Sequence, residues 1–148
     1  MSLSFDVQNI LVLLAGFTGI VYGLIIYSGN KKGQTNLWFF LFVLFVAFWC
    51  ISMFFFRSAV EILNAVLWAR ILYLSAAITP VCFLGFSCIF PEDKPFLKSR
   101  KNYLIFIPFV FIAVISLLPD ALIKNVNIIP GKEKEIIFNK LFYTLYVL

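Results

Sequence analysis

The segment LWFFLFVLFVAFWCISMFFF, residues 37–56, decides the fold. It runs for 20 residues without a charge, and Ser52 is its one obvious polar side chain. At about 1.5 Å per residue, a helix of this length reaches roughly 30 Å, the thickness of a bilayer's hydrocarbon core. No water is present there to satisfy open backbone, so such a segment crosses as a helix whose hydrogen bonds close within itself. Arg57 ends the block, and Trp38 stands near its other end, where an indole can straddle the interface.

The rest of the chain repeats this pattern. Apolar blocks occupy about 7–27, 71–90 and 102–118, and a last one opens at 141–148. Residues 58–70 mix Glu61, Asn64, Trp68 and Arg70 with Val60, Leu63 and Leu67, and read as a helical lead-in that makes the third helix about 60–90. Over 148 residues, 63% are hydrophobic and 13% charged, with a mean hydropathy of +1.02. That is about half the charge of a soluble domain, and the charges lie between the apolar blocks, a segregation that a bilayer imposes. The expected fold is an all-α integral membrane domain spanning 1–148, with four complete transmembrane helices and the start of a fifth. Eight residues cannot cross as a helix, so the chain is expected to stop inside its fifth crossing. The stretch 119–140 carries two β-favourable runs, at 123–129 and 132–138, around Pro130-Gly131, and predicts a small extracytoplasmic hairpin.

Charge sets an expected topology. The region before the first block has Asp6 and no Lys or Arg, unlike a signal peptide, and Lys31-Lys32 follow the block. The loop 91–101 holds Lys94, Lys98, Arg100 and Lys101 against Glu92 and Asp93. Both short basic loops belong in the cytoplasm, which leaves the N-terminus outside. The hairpin loop also carries four lysines, but at lower density.

Within the first helix, Ala15, Gly19 and Gly23 are spaced by four, and Gly19 to Gly23 is a GxxxG step. Small residues there let a neighbouring helix approach, though glycine is also common in membrane helices generally. In the third helix Ser75, Thr79 and Cys82 share a face, beside the helix-interrupting Pro80. That combination either lines a cavity or packs against a neighbour. Arg70, at the end of the lead-in, is the charged candidate near bilayer depth. It either snorkels to the interface or forms a buried cation for an internal partner or anionic ligand. Arg70, Ser75, Thr79 and Pro80 are therefore the residues expected to line a functional interior.

Other classes are disfavoured. The net charge of +5 marks membrane-flanking loops rather than nucleic acid. Cys50, Cys82 and Cys88 lie in apolar blocks without zinc-ligand spacing, and the chain has no histidine. There is no phosphate loop, no nucleophile elbow and no Asp or Glu inside a crossing, so neither an enzyme nor a proton-coupled transporter is indicated. No cofactor is expected.

The order of features resembles the N-terminal seven-helix membrane region of sensor histidine kinases. Asn36-Leu37-Trp38-Phe39-Phe40 opens the second helix, and Trp68-Ala69-Arg70-Ile71-Leu72-Tyr73 leads the third, followed by Pro80 and Phe83 to Phe86. An aromatic loop at Pro91, a polar stretch, and Leu141-Phe142-Tyr143-Thr144-Leu145-Tyr146 complete the resemblance. The glycine expected just before the fifth helix is replaced by Asn139-Lys140. The resemblance implies a sensory or anchoring module in the cytoplasmic membrane of a prokaryote. The partners expected are the lipid bilayer, a second copy through the parent protein, and a small ligand of unknown identity. A kinase's phosphoacceptor histidine cannot lie in a chain without histidine. The competing readings are a small multi-pass transporter or membrane-assembly protein, and a structural membrane protein ending near Leu148.

Overall fold

A computed structural model describes residues 7–90, 104, 106–129 and 134–147. The elements are α1 (Val7–Gly29), α2 (Gln34–Ser58), α3 (Ile62–Ile89), α4 (Ile107–Leu117), β1 (Ile123–Asn127), β2 (Glu135–Phe138) and α5 (Lys140–Val147). The first three helices are long and apolar enough to cross a membrane. The loop 91–101 and the Pro130-Gly131 turn lie outside the described residues.

Helices α1, α2 and α3 follow one another through very short turns, which forces antiparallel neighbours. The first turn is closed by Asn30. Its side-chain oxygen accepts from the backbone N–H groups of Lys32 and Gly33, each at 3.2 Å, and Asn36 donates back to the Ile26 carbonyl at 3.0 Å. Helix α2 begins at Gln34, three residues before its apolar block, because Gly33 ends the turn and polar Gln34, Thr35 and Asn36 supply the first turn of helix. Helix α2 packs on both α1 and α3, and α3 also packs on α4.

Against α2, α1 buries one narrow stripe, Asn9, Gly16 and Gly23. A β-carbon on Gly16 would lie 3.1 Å from Cys50 Cβ, one on Gly19 3.4 Å from Val43 Cγ1, and one on Gly23 3.2 Å from Phe40 Cδ2. The expected Ala15 does not belong to this contact; it is exposed. The reason is helical geometry. Eight residues from Ala15 to Gly23 rotate the side-chain direction by about 80°, whereas seven residues from Gly16 drift by about 20°. The other faces of α1 leave Leu11, Leu14, Phe17 and Val21 exposed, as expected of a helix facing lipid.

Helix α4 is the regular helix described within the fourth crossing expected over 102–118. Its 11 residues reach only about 16 Å. Pro108 sits in the first turn, where a missing N–H costs nothing, and fixes where the regular helix starts. Residues 101–103 and 105 lie outside the described set.

The hairpin is present, with β1 and β2 antiparallel and paired as Ile123↔Phe138, Val126↔Ile136 and Asn127↔Glu135. A bulge lies between Ile123 and Asn125. An isolated two-stranded hairpin is marginal in water. This one gains its stability from an apolar underside. Leu122, Ile123 and Val126 are fully buried against Phe56, Ala59, Ala65, Ala69 and Ile115, from α2, α3, α4 and the α2–α3 turn. Burying three such side chains is worth about 1.5–3 kcal/mol each relative to water. The hairpin thus closes one end of the helix bundle.

Candidate functional site

The site candidates on α3 do not converge. Ser75 is buried and Thr79 half-buried, and each hydroxyl donates to its own helix, to the Ile71 carbonyl at 2.9 Å and the Ser75 carbonyl at 2.8 Å. Cys82 is also buried. Pro80 is exposed, so among the described residues it lines no interior. Arg70 points elsewhere again: five residues separate it from Ser75, a rotation of about 140°. The expected four-residue interior is therefore divided into a packed seam, an outward proline and a separate arginine.

Arg70 lies at the hairpin end of α3. Its side chain is 21% exposed, and its Nη2 lies 4.0 Å from Asp120 Oδ1, whose own side chain is 75% exposed. The Arg70 Nε is buried and has no hydrogen-bond partner among the described residues. The Nε has thus left water without gaining an acceptor among the described residues, while the rest of the guanidinium keeps part of its exposure. Leaving a buried donor unmet costs about 1–3 kcal/mol.

Arg70 forms part of a cleft of 680 Å³ between the first turns of α3 and strand β1. Ile62, Leu63, Val66 and Leu67 give it an apolar wall, and Asn64, Lys124 and Asn125 add polar groups. Asn64 donates to Glu61 at 2.9 Å, and the Asn125 side-chain oxygen accepts from the Val126 N–H at 2.8 Å. Neither carboxylate, Glu61 nor Asp120, lines the cleft.

Asp120 is held by its backbone. Its φ of 57° lies in the left-handed region, which Asp tolerates better than most residues. Its carbonyl accepts from the Asn139 side-chain amide at 3.2 Å, and the Asn139 N–H donates to the Leu122 carbonyl at 2.9 Å. Asn139 is the single residue between β2 and α5, and its own carbonyl accepts the Tyr143 N–H at 2.9 Å. Phe138 stacks on Tyr143, with ring centroids 4.4 Å apart, and meets Tyr73 of α3 edge-on at 5.4 Å. A path of direct contacts therefore runs from Arg70 through Asp120 and Asn139 into α5.

A second anchor, Lys134, is one that the local sequence pattern does not mark. Lys134 Nζ donates to the carbonyls of Phe56 at 2.6 Å and Arg57 at 2.7 Å, and stands 5.5 Å from the centre of the Phe56 ring. These carbonyls end α2, where the helix dipole favours a cation. The signal was one lysine among four in a loop, and only the register of β2 singles it out.

Across residues 11–146 the chain matches a family model described as the N-terminal 7TM region of histidine kinase. No curated protein and no solved structure matches it. The match covers nearly all of the chain, including α2, α3, α4, the hairpin and most of α1 and α5. The protein accordingly belongs to the family of N-terminal seven-helix membrane regions of histidine kinases, a multi-pass sensory and anchoring region.

Proposed function

We propose that this domain senses at its hairpin end, with Arg70 as the ligand-facing residue, and passes the signal out through α5. The observation that carries this reading is the one-residue connection at Asn139, which ties the end of the hairpin to the start of α5 and to the backbone of Asp120, whose carboxylate faces Arg70. A change in how the hairpin sits on α3 has no slack in which to dissipate before reaching α5. A ligand that binds one hairpin position better than another shifts the balance between them by its difference in affinity. On this reading Ser75 and Thr79 belong to a packing seam rather than to the ligand site.

In the same reading residues 1–148 form one membrane domain, with four crossings and the opening of a fifth. The N-terminus and the hairpin lie outside the cell, and the turn at Lys31-Lys32 lies in the cytoplasm. The basic turn supports this orientation. A second copy pairs through the parent kinase. The test is autophosphorylation of the parent kinase in proteoliposomes. Arg70→Leu is expected to change the output while membrane insertion is unaltered; unaltered output would overturn the role of Arg70.

A further inference from the structure

The shape and charge of the cleft specify the chemical class of its ligand, an inference that rests on the sensory reading above. We infer that the cleft beside Arg70 binds a single-chain amphiphilic carboxylate that arrives from the water phase, anion first. Two cations, Arg70 and Lys124, line the cleft from opposite walls, while the nearby carboxylates Glu61 and Asp120 do not. The buried Arg70 Nε is a donor without an acceptor among the described residues. A carboxylate is the planar acceptor that a guanidinium binds best, through two parallel hydrogen bonds. The long, exposed contact from Asp120 is one that a ligand anion can replace.

The apolar wall identifies the rest of the molecule. Leu63 is 81% exposed, and Ile62 and Leu67 are each 52% exposed. These residues belong to the first turns of α3, whose 28 residues reach about 42 Å and exceed a hydrocarbon core by about 12 Å. The uncharged stretch 71–90 fills that core, so the wall stands on the water side of Arg70. A bilayer phospholipid has the opposite polarity, with its headgroup toward water and its chains toward the core. An amphiphile from the water phase fits instead, with its carboxylate down against Arg70 and its chain along Leu63 and Leu67.

The experiment titrates sodium decanoate, below its micellar concentration, into the full chain in phosphatidylcholine nanodiscs, with empty nanodiscs subtracted. Saturable binding is expected. Decanol is expected to bind at least about tenfold more weakly, as are Arg70→Gln and Leu63→Ser to decanoate. Lys124→Gln, on an exposed strand position, is expected to weaken binding severalfold without changing the melting temperature, and guards against a folding defect in Arg70→Gln. Equal binding of decanol, or decanoate binding unchanged in both cation variants, would overturn the inference. So would absence of decanoate binding with phosphatidylglycerol retained in an Arg70-dependent way, which assigns the site to bilayer lipid. Binding is read on this chain without any kinase. Decanoate bound normally but silent in the parent's autophosphorylation would therefore count against the sensory reading and leave the ligand class standing.

Discussion

The six-membered ring of the Trp38 indole lies directly against Gly85, so that a β-carbon there would collide with Cε3, Cζ3 and Cδ2 of the indole. Trp38 also stacks on Phe106 at 6.0 Å between ring centres. It therefore packs α2 to α3 beside α4, and its place near a helix end is not explained by the membrane interface alone. Glycine to alanine within a helix gains up to about 1 kcal/mol in propensity. Overpacking against the indole costs about 1–3 kcal/mol. Gly85→Ala should thus lower the melting temperature in detergent, and the loss should largely vanish in a Trp38→Leu background. A Gly85→Ala protein as stable as the parent would refute the contact.

The stripe on α1 separates two neighbouring residues. Gly16→Val drives a branched side chain into Cys50 and the Ala47 backbone and should cost about 1–3 kcal/mol. Ala15→Val, on an exposed position, should stay within about 0.5 kcal/mol of the parent. Thermal unfolding of the two variants in the same detergent decides it, and equal losses would mean that α1 packs through a different face.

These cases show what the sequence made legible. Crossings appear in composition because a bilayer sorts whole segments, so α1, α2 and α3 could be read directly from their uncharged runs. The hairpin was legible because two β-favourable runs flanked a Pro-Gly signal. Which small residue faces a neighbour depends on helix rotation, and Ala15 and Gly16 differ by only one step. Arg70 was visible as a lone charge, yet its company was not. Asp120, Lys124 and Asn125 reach it through a fold of the chain about 50 residues long, and nothing in the local pattern of α3 points to them. Pro80 adjoins Thr79 in the sequence yet leaves that face, because adjacent residues on a helix point about 100° apart.

Asp120 combines a strained backbone with a weak ion pair, and substitution can separate the two. The contact with Arg70 is long, at 4.0 Å, and its carboxylate is 75% exposed, so it contributes about 0–1 kcal/mol. Asp120→Gly removes the carboxylate but adopts a φ of 57° freely, and should leave stability within about 0.5 kcal/mol. Asp120→Val keeps no carboxylate either, yet a β-branched residue in the left-handed region should cost about 1–3 kcal/mol. If the two variants were equally destabilised, the ion pair rather than the backbone would be the important element.

Lys134 offers a prediction in which the direction of the pH effect is the test. Its two donations to the last carbonyls of α2 hold β2 to the bundle, and Lys134→Met should weaken that attachment by about 1–2 kcal/mol. Faster amide exchange in 135–138, with α2 and α3 unaffected, is the expected readout. Burial pushes the Lys134 ammonium below its ordinary value of 10.5. The folded state therefore holds this proton less tightly than the unfolded chain does. Between the lowered value and 10.5 the unfolded chain binds more protons, so rising pH favours the folded arrangement. The neutral amine still carries hydrogens to donate to both carbonyls. Protection of 135–138 in the parent, corrected for intrinsic exchange, should consequently hold or increase as pH rises through that window, and Lys134→Met should abolish any increase. A parent hairpin that loosened with rising pH, with the looseness removed by Lys134→Met, would show that the charge outweighs its burial and that the clasp is electrostatic.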